Sequence, residues 1–204
     1  MSSGPERAVR DLAVGLLGGS FNPAHEGHLE ISLAALHRLG LDRVWWLVSP
    51  QNPLKPESGM APLDERMAGA RRLARHPRLL VTDIEAGLGT RYTADTLDGL
   101  RRRHPGTAFV WLMGADNLVQ MPHWDRWTAI FEAVPVAVFD RPTYSQKALS
   151  GKAARRYRDR RLPERKARLL ARLEPPAWVF LHTRLNPLSG TGIREGRQGP
   201  DGQT

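Results

Sequence analysis

The chain has 204 residues, of which 41% are hydrophobic and 25% charged, and it carries a formal net charge of +9. This length and composition predict one globular domain with a sizeable core, and no apolar run approaches the roughly 18 residues of a membrane span, so we expect neither a membrane partner nor a signal peptide. The sequence has no cysteine, which excludes a disulfide scaffold, cysteine-ligated zinc and a cysteine nucleophile and fits a cytoplasmic location.

Short apolar runs alternate with helical patterns along the chain. The runs predict buried strands at 13–19, 43–50, 79–85, 108–114, 134–140 and 177–182. Helical spacing predicts helices at 28–40, 63–76 and 93–104, with a last helical turn opening at 191–195. Trp45 and Trp46 are adjacent, so they are expected on opposite faces of the second strand.

This alternation predicts an α/β fold that is Rossmann-like and doubly wound. Strands separated by helices form βαβ units, and such units build a mostly parallel sheet with helices on both faces. Residues 1–195 are expected to form the single domain, and the tail GRQGPDGQT (196–204) is expected to be disordered.

The positive charge is concentrated late in the chain. Residues 152–172 hold ten basic and two acidic residues, whereas the remainder is nearly neutral, with 20 basic and 19 acidic residues. Composition predicts a helical tract over 150–173 with a break or restart at Pro163, and leucines give it an apolar side. These leucines are Leu149, Leu162, Leu169, Leu170 and Leu173. We interpret the tract as an amphipathic surface helix with a solvated arginine face, and a nucleic-acid-binding helix is the alternative.

The stretch GGSFNPAHEGHLE (18–30) leaves the first strand and enters the first helix. In a parallel sheet, ligands bind beyond the carboxyl ends of strands, and a helix N-terminus offers free N–H groups and partial positive charge. Glycines allow a ligand to approach the backbone closely. His25 and His28 are three residues apart, so both imidazoles can reach one side of the first helical turn. The stretch therefore has the outline of a phosphate site.

Other interpretations of this stretch have weaker support. The dinucleotide pattern G-x-G-x-x-G and the phosphate loop G-x-x-x-x-G-K-[ST] are both absent. HEGH places its histidines three apart instead of the four of a metalloprotease helix, and no third ligand is apparent. A tight turn with two incidental histidines also remains open.

Five motifs resemble the nicotinate-nucleotide adenylyltransferases of the H-x-G-H nucleotidyltransferase superfamily. In chain order they are GGSFNPAHEGHL, SPQNPLKP (49–56), GTRYTADTL (89–97), WLMGADNLVQMPHWDRW (111–127) and SGTGIRE (189–195). The resemblance implies that the phosphate of nicotinate mononucleotide attacks the α-phosphorus of ATP in line, releasing pyrophosphate. The nucleophile is already an anion, so no general base and no covalent intermediate are implied.

The resemblance assigns phosphate contacts to several side chains. His28 would stabilise charge on the α-phosphate, His25 would assist it, and Arg194 would clamp the β- or γ-phosphate. Further nucleotide or phosphate contacts are expected from Gly18, Gly19, Ser20, Phe21, Lys55, Ser189 and Thr191. Leu54 and Gly190 stand where the family usually has a histidine and a hydroxyl residue, so one polar contact is in doubt at each place. Asn22 occupies a position where many relatives have Asp.

The same resemblance assigns the mononucleotide pocket. Asp116 would bind the ribose and Trp124 would stack on the pyridine ring, while Thr93 and backbone groups near Tyr92 and Asp125 would face the nicotinate carboxylate. Backbone donors of this kind favour a carboxylate over a carboxamide. Trp111 and Trp127 are expected in the core.

Mg²⁺ is the expected cofactor, carried on the ATP phosphates, since no dedicated carboxylate cage is apparent. ATP and nicotinate mononucleotide are the expected small-molecule partners, with no nucleic acid, and the oligomeric state stays open. The closest alternative is an adenylyltransferase that accepts nicotinamide mononucleotide, alone or together with the acid. A basic nucleic-acid-binding protein without enzymatic activity is the remote alternative.

Overall fold

The computed structural model describes residues 12–50, 59–141 and 143–182. Seven strands are present in them: β1 (Leu12–Gly19), β2 (Arg43–Val48), β3 (Leu79–Thr82), β4 (Thr107–Gly114), β5 (Val136–Phe139), β6 (Arg161–Leu162) and β7 (Trp178–Leu181). The α-helices in these ranges are α1 (Glu26–Arg38), α2 (Leu63–Leu73), α3 (Ile84–Leu88), α4 (Thr93–Arg103), α5 (Ala115–Gln120), α6 (Trp127–Ala133), α7 (Ser145–Ser150) and α8 (Lys152–Arg156). Three 3-10 segments, Met121–His123, Arg158–Arg160 and Glu164–Arg172, complete the chain order.

The strands form one sheet in the order β3-β2-β1-β4-β5-β7-β6. Every described strand pairing is parallel, which confirms the expectation of a mostly parallel sheet. From the centre, the chain runs outward through β2 and β3 on one side and through β5 and β7 on the other. The carboxyl ends of β1 and β4 therefore flank the crevice where the crossovers diverge, which is the usual ligand position in such sheets.

Two apolar cores cover the two faces of the sheet, because successive strand residues point to opposite sides. Along β4, Phe109 and Trp111 join a core with α4, α5, α6 and α8, whereas Val110 and Leu112 join a core with α1, α2 and the segment Glu164–Arg172. Trp45 and Trp46 likewise pack in different cores. Burial on both faces accounts for strands that are apolar throughout instead of alternating with polar residues.

Several short elements were missed by the sequence prediction. Helices α3 and α5 have five and six residues, too few to repeat an apolar spacing. The predicted strand 79–85 ends at Thr82, because the chain turns at Asp83 into α3. The sequence predicted six strands, and β6 is the additional one. It has two residues and lies inside the basic tract.

The basic tract was wrongly predicted as a helix. It divides into α8, a 3-10 turn, β6 and the nine-residue 3-10 segment Glu164–Arg172, which begins directly after Pro163. The buried side chains of that last segment, Ala167 and Leu170, are three residues apart, which is the repeat of a 3-10 helix. The expected break at Pro163 is present.

Among the described helices, none combines the length and the apolar character needed to cross a bilayer. The boundary between the expected domain and tail, at 195/196, and the expected helical turn at 191–195 lie outside the described residues.

Candidate active site

The turn between β1 and α1 occupies the crevice at the carboxyl end of the central strand. Gly18 packs so closely on Trp111 that a Cβ there would lie 2.5 Å from the indole Cη2 atom. Phe21 has a φ of +48°, in the region that residues other than glycine rarely adopt. Its ring is buried and stacks on Trp46, with the centroids 5.1 Å apart. Packing therefore fixes the start of the turn, where it leaves β1.

The two histidines of the turn contact each other. His25 precedes the first residue of α1, and the ring centroids of His25 and His28 are 3.9 Å apart. The backbone N–H of His25 donates to Nδ1 of His28 at 3.2 Å. An Nδ1 that accepts a hydrogen bond places the proton of the neutral ring on Nε2. His28 is only half-buried, so its Nε2–H can serve a ligand as a hydrogen-bond donor.

His25 is more deeply buried than His28. Its side chain is 7% exposed, and Nδ1 has no hydrogen-bond partner within the described part of the chain. Burial, reinforced by the nearby Arg141 guanidinium, lowers the pKa of His25 to about 4. The imidazole is therefore neutral at pH 7, with one ring nitrogen able to donate and the other able to accept.

Arg141 lies near both the histidine turn and Asp116, which follows the end of β4. The sequence prediction missed it. It follows β5, and its Nε lies 3.8 Å from Oδ1 of Asp116, in the first turn of α5. A Cβ on Gly27 would meet the His25 ring at 3.1 Å and Nη1 of Arg141 at 3.5 Å. The structure thus brings together Asp116, Arg141 and His25, which come from three segments. The only sequence signal for Arg141 is its place just after a predicted strand.

Glycine is also required at the end of β4. A Cβ on Gly114 would overlap the carboxylate of Asp116 and approach Nε of Arg141 to 3.1 Å. The GAD sequence therefore allows the acid and the arginine to lie against the backbone at this edge of the sheet.

The residues predicted to hold the mononucleotide lie at neighbouring element ends. Thr93 is the first residue of α4, and Trp124 and Asp125 follow the 3-10 turn after α5. Arg126, with a φ of +44°, bridges the two segments, since it pairs with Asp95 in the first turn of α4 and with Asp125 at 3.0 Å. Trp124 is partly buried against the first core, as is Trp127, and Trp111 is 3% exposed.

Four predicted phosphate residues, Lys55, Ser189, Thr191 and Arg194, fall outside the described residues. Their place relative to His28 stays a prediction.

Comparison with known proteins gives a consistent result. A family model described as cytidylyltransferase-like matches residues 16–196. A protein of Parvibaculum lavamentivorans named "Probable nicotinate-nucleotide adenylyltransferase" is 58% identical over 90% of this chain and 92% of its own length. A Caulobacter protein of the same name is 54% identical over 92% of this chain and 98% of its own length.

Solved structures show the same fold at low sequence identity. The nicotinic acid mononucleotide adenylyltransferase of Plasmodium falciparum complexed with NaAD superposes with a TM-score of 0.64 at 14% identity. The alignment covers 90% of this chain and 82% of that one. A Vibrio parahaemolyticus protein, described as a putative nicotinate-nucleotide adenylyltransferase, gives a TM-score of 0.53 at 18% identity over 66% of this chain and 77% of that one.

Proposed function

Since this chain belongs to the cytidylyltransferase-like family and, within it, to the nicotinate-nucleotide adenylyltransferases, we propose that it transfers AMP from ATP to nicotinate mononucleotide. A phosphate oxygen of the mononucleotide forms a bond to the α-phosphorus of ATP as the bond to the pyrophosphate oxygen breaks. The products are deamido-NAD and pyrophosphate, a step of NAD biosynthesis. The reaction needs charge stabilisation and alignment of two polyanions, and no deprotonation of the nucleophile.

The observation that carries the proposal is the paired imidazoles at the crevice. The contact from His25 fixes His28 with its proton on Nε2, where it can donate to an α-phosphate oxygen as charge grows in the transition state. Unpaired N–H groups and the dipole at the N-terminus of α1 add positive potential beside the same atoms. Arg194, Ser189, Thr191 and Lys55 are proposed to hold the outer phosphates.

The mononucleotide is proposed to bind between the N-terminus of α4 and the Trp124 segment. Trp124 would offer its ring face to the pyridine, and Asp116, beside Arg141, would bind the ribose. The α4 N–H groups near Tyr92 and Thr93 would donate hydrogen bonds to the nicotinate carboxylate, because a helix N-terminus favours an anion over a neutral amide.

Mg²⁺ is proposed to enter as MgATP. In the described ranges, no three His, Asp or Glu side chains lie together in a way that could hold a metal ion, so phosphate oxygens and water are the fitting ligands. When bound, the ion neutralises phosphate charge. The side chains of this site then need only bind the MgATP complex, which remains an anion.

A pyrophosphate-release assay with purified protein, MgATP and either mononucleotide tests the function. We expect turnover with the acid and a kcat/KM at least about tenfold lower with the amide, because the amide lacks the charge that backbone N–H groups bind most strongly. Equal turnover of the two forms would overturn the acid preference alone. Absence of pyrophosphate with both, together with salt-sensitive binding of RNA to the exposed basic tract, would instead support the nucleic-acid alternative. The cytoplasmic location stays a prediction.

A further inference from the structure

We propose that Arg66 is a positioning residue for the turn between β1 and α1 that carries Ser20 and Phe21. It lies on α2, and among the described residues its hydrogen bonds reach the proposed phosphate site only at the Ser20 carbonyl. It would act by holding that turn in its binding conformation. The proposal rests on the proposed function in one respect, namely that this turn binds ATP phosphates.

Arg66 is a buried cation whose bonds go to the main chain. Its side chain is 4% exposed, and burial lowers its pKa from the ordinary arginine value. Nη1 donates to the carbonyl oxygens of Ser20 and Ser49, each at 2.7 Å. Nη2 donates to Pro50 at 2.9 Å, and Nε donates to Ala61 at 2.9 Å. The planar guanidinium thus connects the end of β1, the end of β2 and the segment before α2.

The bond to Ser20 sets the direction of the next N–H group. In a trans peptide the carbonyl of one residue and the N–H of the following residue point in opposite directions. Because the Ser20 carbonyl faces Arg66, the N–H of Phe21 faces away from it. Arg66 therefore determines the side of the turn on which the Phe21 N–H lies.

The conformation of Phe21 needs such a restraint. A φ of +48° is unfavourable for a residue with a bulky side chain and persists only where the surroundings hold it. The Phe21 ring packs against both Trp46 and His28, with centroid separations of 5.1 and 4.6 Å. The guanidinium holds the backbone on one side of the turn and the ring contacts hold it on the other. A turn released from Arg66 would also shift the ring on which His28 packs.

A second contact ties the same turn to the segment before α2. Nδ2 of Asn22 donates to the carbonyl of Gly59 at 3.0 Å, and the N–H of Ala61 donates to Oδ1 of Asn22 at 3.3 Å. Ala61 is thus bound by both Arg66 and Asn22. The turn and the segment before α2 therefore form one connected unit, and Arg66 is bonded to both of its parts.

The test compares R66K and R66M with R71K and R71M, since Arg71 lies on the same helix and is exposed. We expect kcat/KM for ATP to fall about 100-fold in R66M, as for a misplaced reacting group, and about tenfold in R66K, which keeps the charge without the planar fork. KM for nicotinate mononucleotide should change by less than about twofold, because its proposed pocket is built by other segments. The Arg71 variants should match the wild type.

Three results would overturn the proposal. The first is an ATP kcat/KM at the wild-type level in folded R66K and R66M. The second is a loss of thermal stability in these variants with unchanged kinetic constants, which would make Arg66 purely structural. The third is failure of both variants to fold, which would also make Arg66 purely structural.

Amide hydrogen exchange separates this proposal from the proposed function. If the wild type releases no pyrophosphate, the function fails, but exchange in the peptide 18–30 still reports on the turn. We expect faster exchange in both Arg66 variants and unchanged exchange in the Arg71 variants. Unchanged exchange in all four would remove the positioning role.

Discussion

His28 depends on a neighbour for its chemistry. Its Nδ1 accepts the backbone N–H of His25, which places the proton of the neutral ring on Nε2, the atom proposed to donate to the substrate. The 2.9 Å bond from the His28 N–H to the His25 carbonyl holds the two residues together from the other side. A side chain held in this way loses little entropy on meeting a phosphate, which favours binding of the transition state.

Replacing His28 with Ala should leave a folded protein with little turnover. The loss of one charge-stabilising donor typically costs on the order of 100- to 1,000-fold in kcat. Steady-state pyrophosphate release measures it, and circular dichroism confirms the fold. H37A is the matched control, because His37 is exposed on the same helix. Near-wild-type rates in H28A would remove His28 from the mechanism.

The sequence singles out the candidate site residues that belong to contiguous motifs and misses those that stand alone in the chain. His25, His28 and Phe21 stand within one unusual string, so their types and spacing could be interpreted together. Arg66 and Arg141 are each one arginine among many in a basic chain. Their roles come from burial against main-chain carbonyls and from proximity to Asp116, and neither depends on a local pattern.

At the scale of elements, the segment Glu164–Arg172 shows why composition misled the prediction. Its leucines and arginines suit an α-helix, but Pro163 sets the start and the surface of the second core selects a repeat of three. Leu170 is fully buried there, whereas its neighbour Leu169 is 46% exposed. The long strands and helices were predictable because a continuous apolar run, or a helical spacing of apolar residues, extends over many residues.

Two adjacent leucines give a direct test of which face of this segment is buried. L170A should lower the free energy of unfolding by about 2–5 kcal/mol, the range for a buried leucine cut back to alanine. L169A should change it by less than about 0.5 kcal/mol, as for an exposed site. Urea denaturation of both variants measures the difference. Equal losses would contradict the difference in burial between the two leucines and favour a broader buried face.

At the scale of the whole molecule, the strand order was beyond the reach of the sequence pattern. Periodicity predicts that strands exist and that both faces are covered, but it does not say on which side of β1 each later strand pairs. In the order β3-β2-β1-β4-β5-β7-β6, α1 and α4 pack on opposite faces, so right-handed crossovers place β2 on one side of β1 and β4 on the other. At the crevice that results, the histidine turn lies beside Arg141 and Asp116.

Two buried groups make the stability of the whole fold respond to pH in opposite directions. Burial lowers the pKa of His25 to about 4, from 6.5. Between these pH values His25 is protonated in the unfolded chain and neutral in the folded chain. The contribution of His25 therefore lowers the free energy of unfolding as the pH falls from 6.5 to 4. Burial raises the pKa of Glu85 to about 7, from 4.5, against the effect of a hydrogen bond from Ser49. Here the folded chain keeps a proton that the unfolded chain has lost.

Glu85 should therefore lower the free energy of unfolding as the pH rises from 4.5 to 7, by up to about 3 kcal/mol. E85Q mimics the protonated carboxyl and removes this loss. Its stability relative to the wild type should increase through that window and become constant above pH 7. Urea denaturation at a series of pH values measures the difference, with E65Q as the control, because Glu65 is exposed. A difference between E85Q and wild type that does not change with pH would show that Glu85 ionises alike in the folded and unfolded chains.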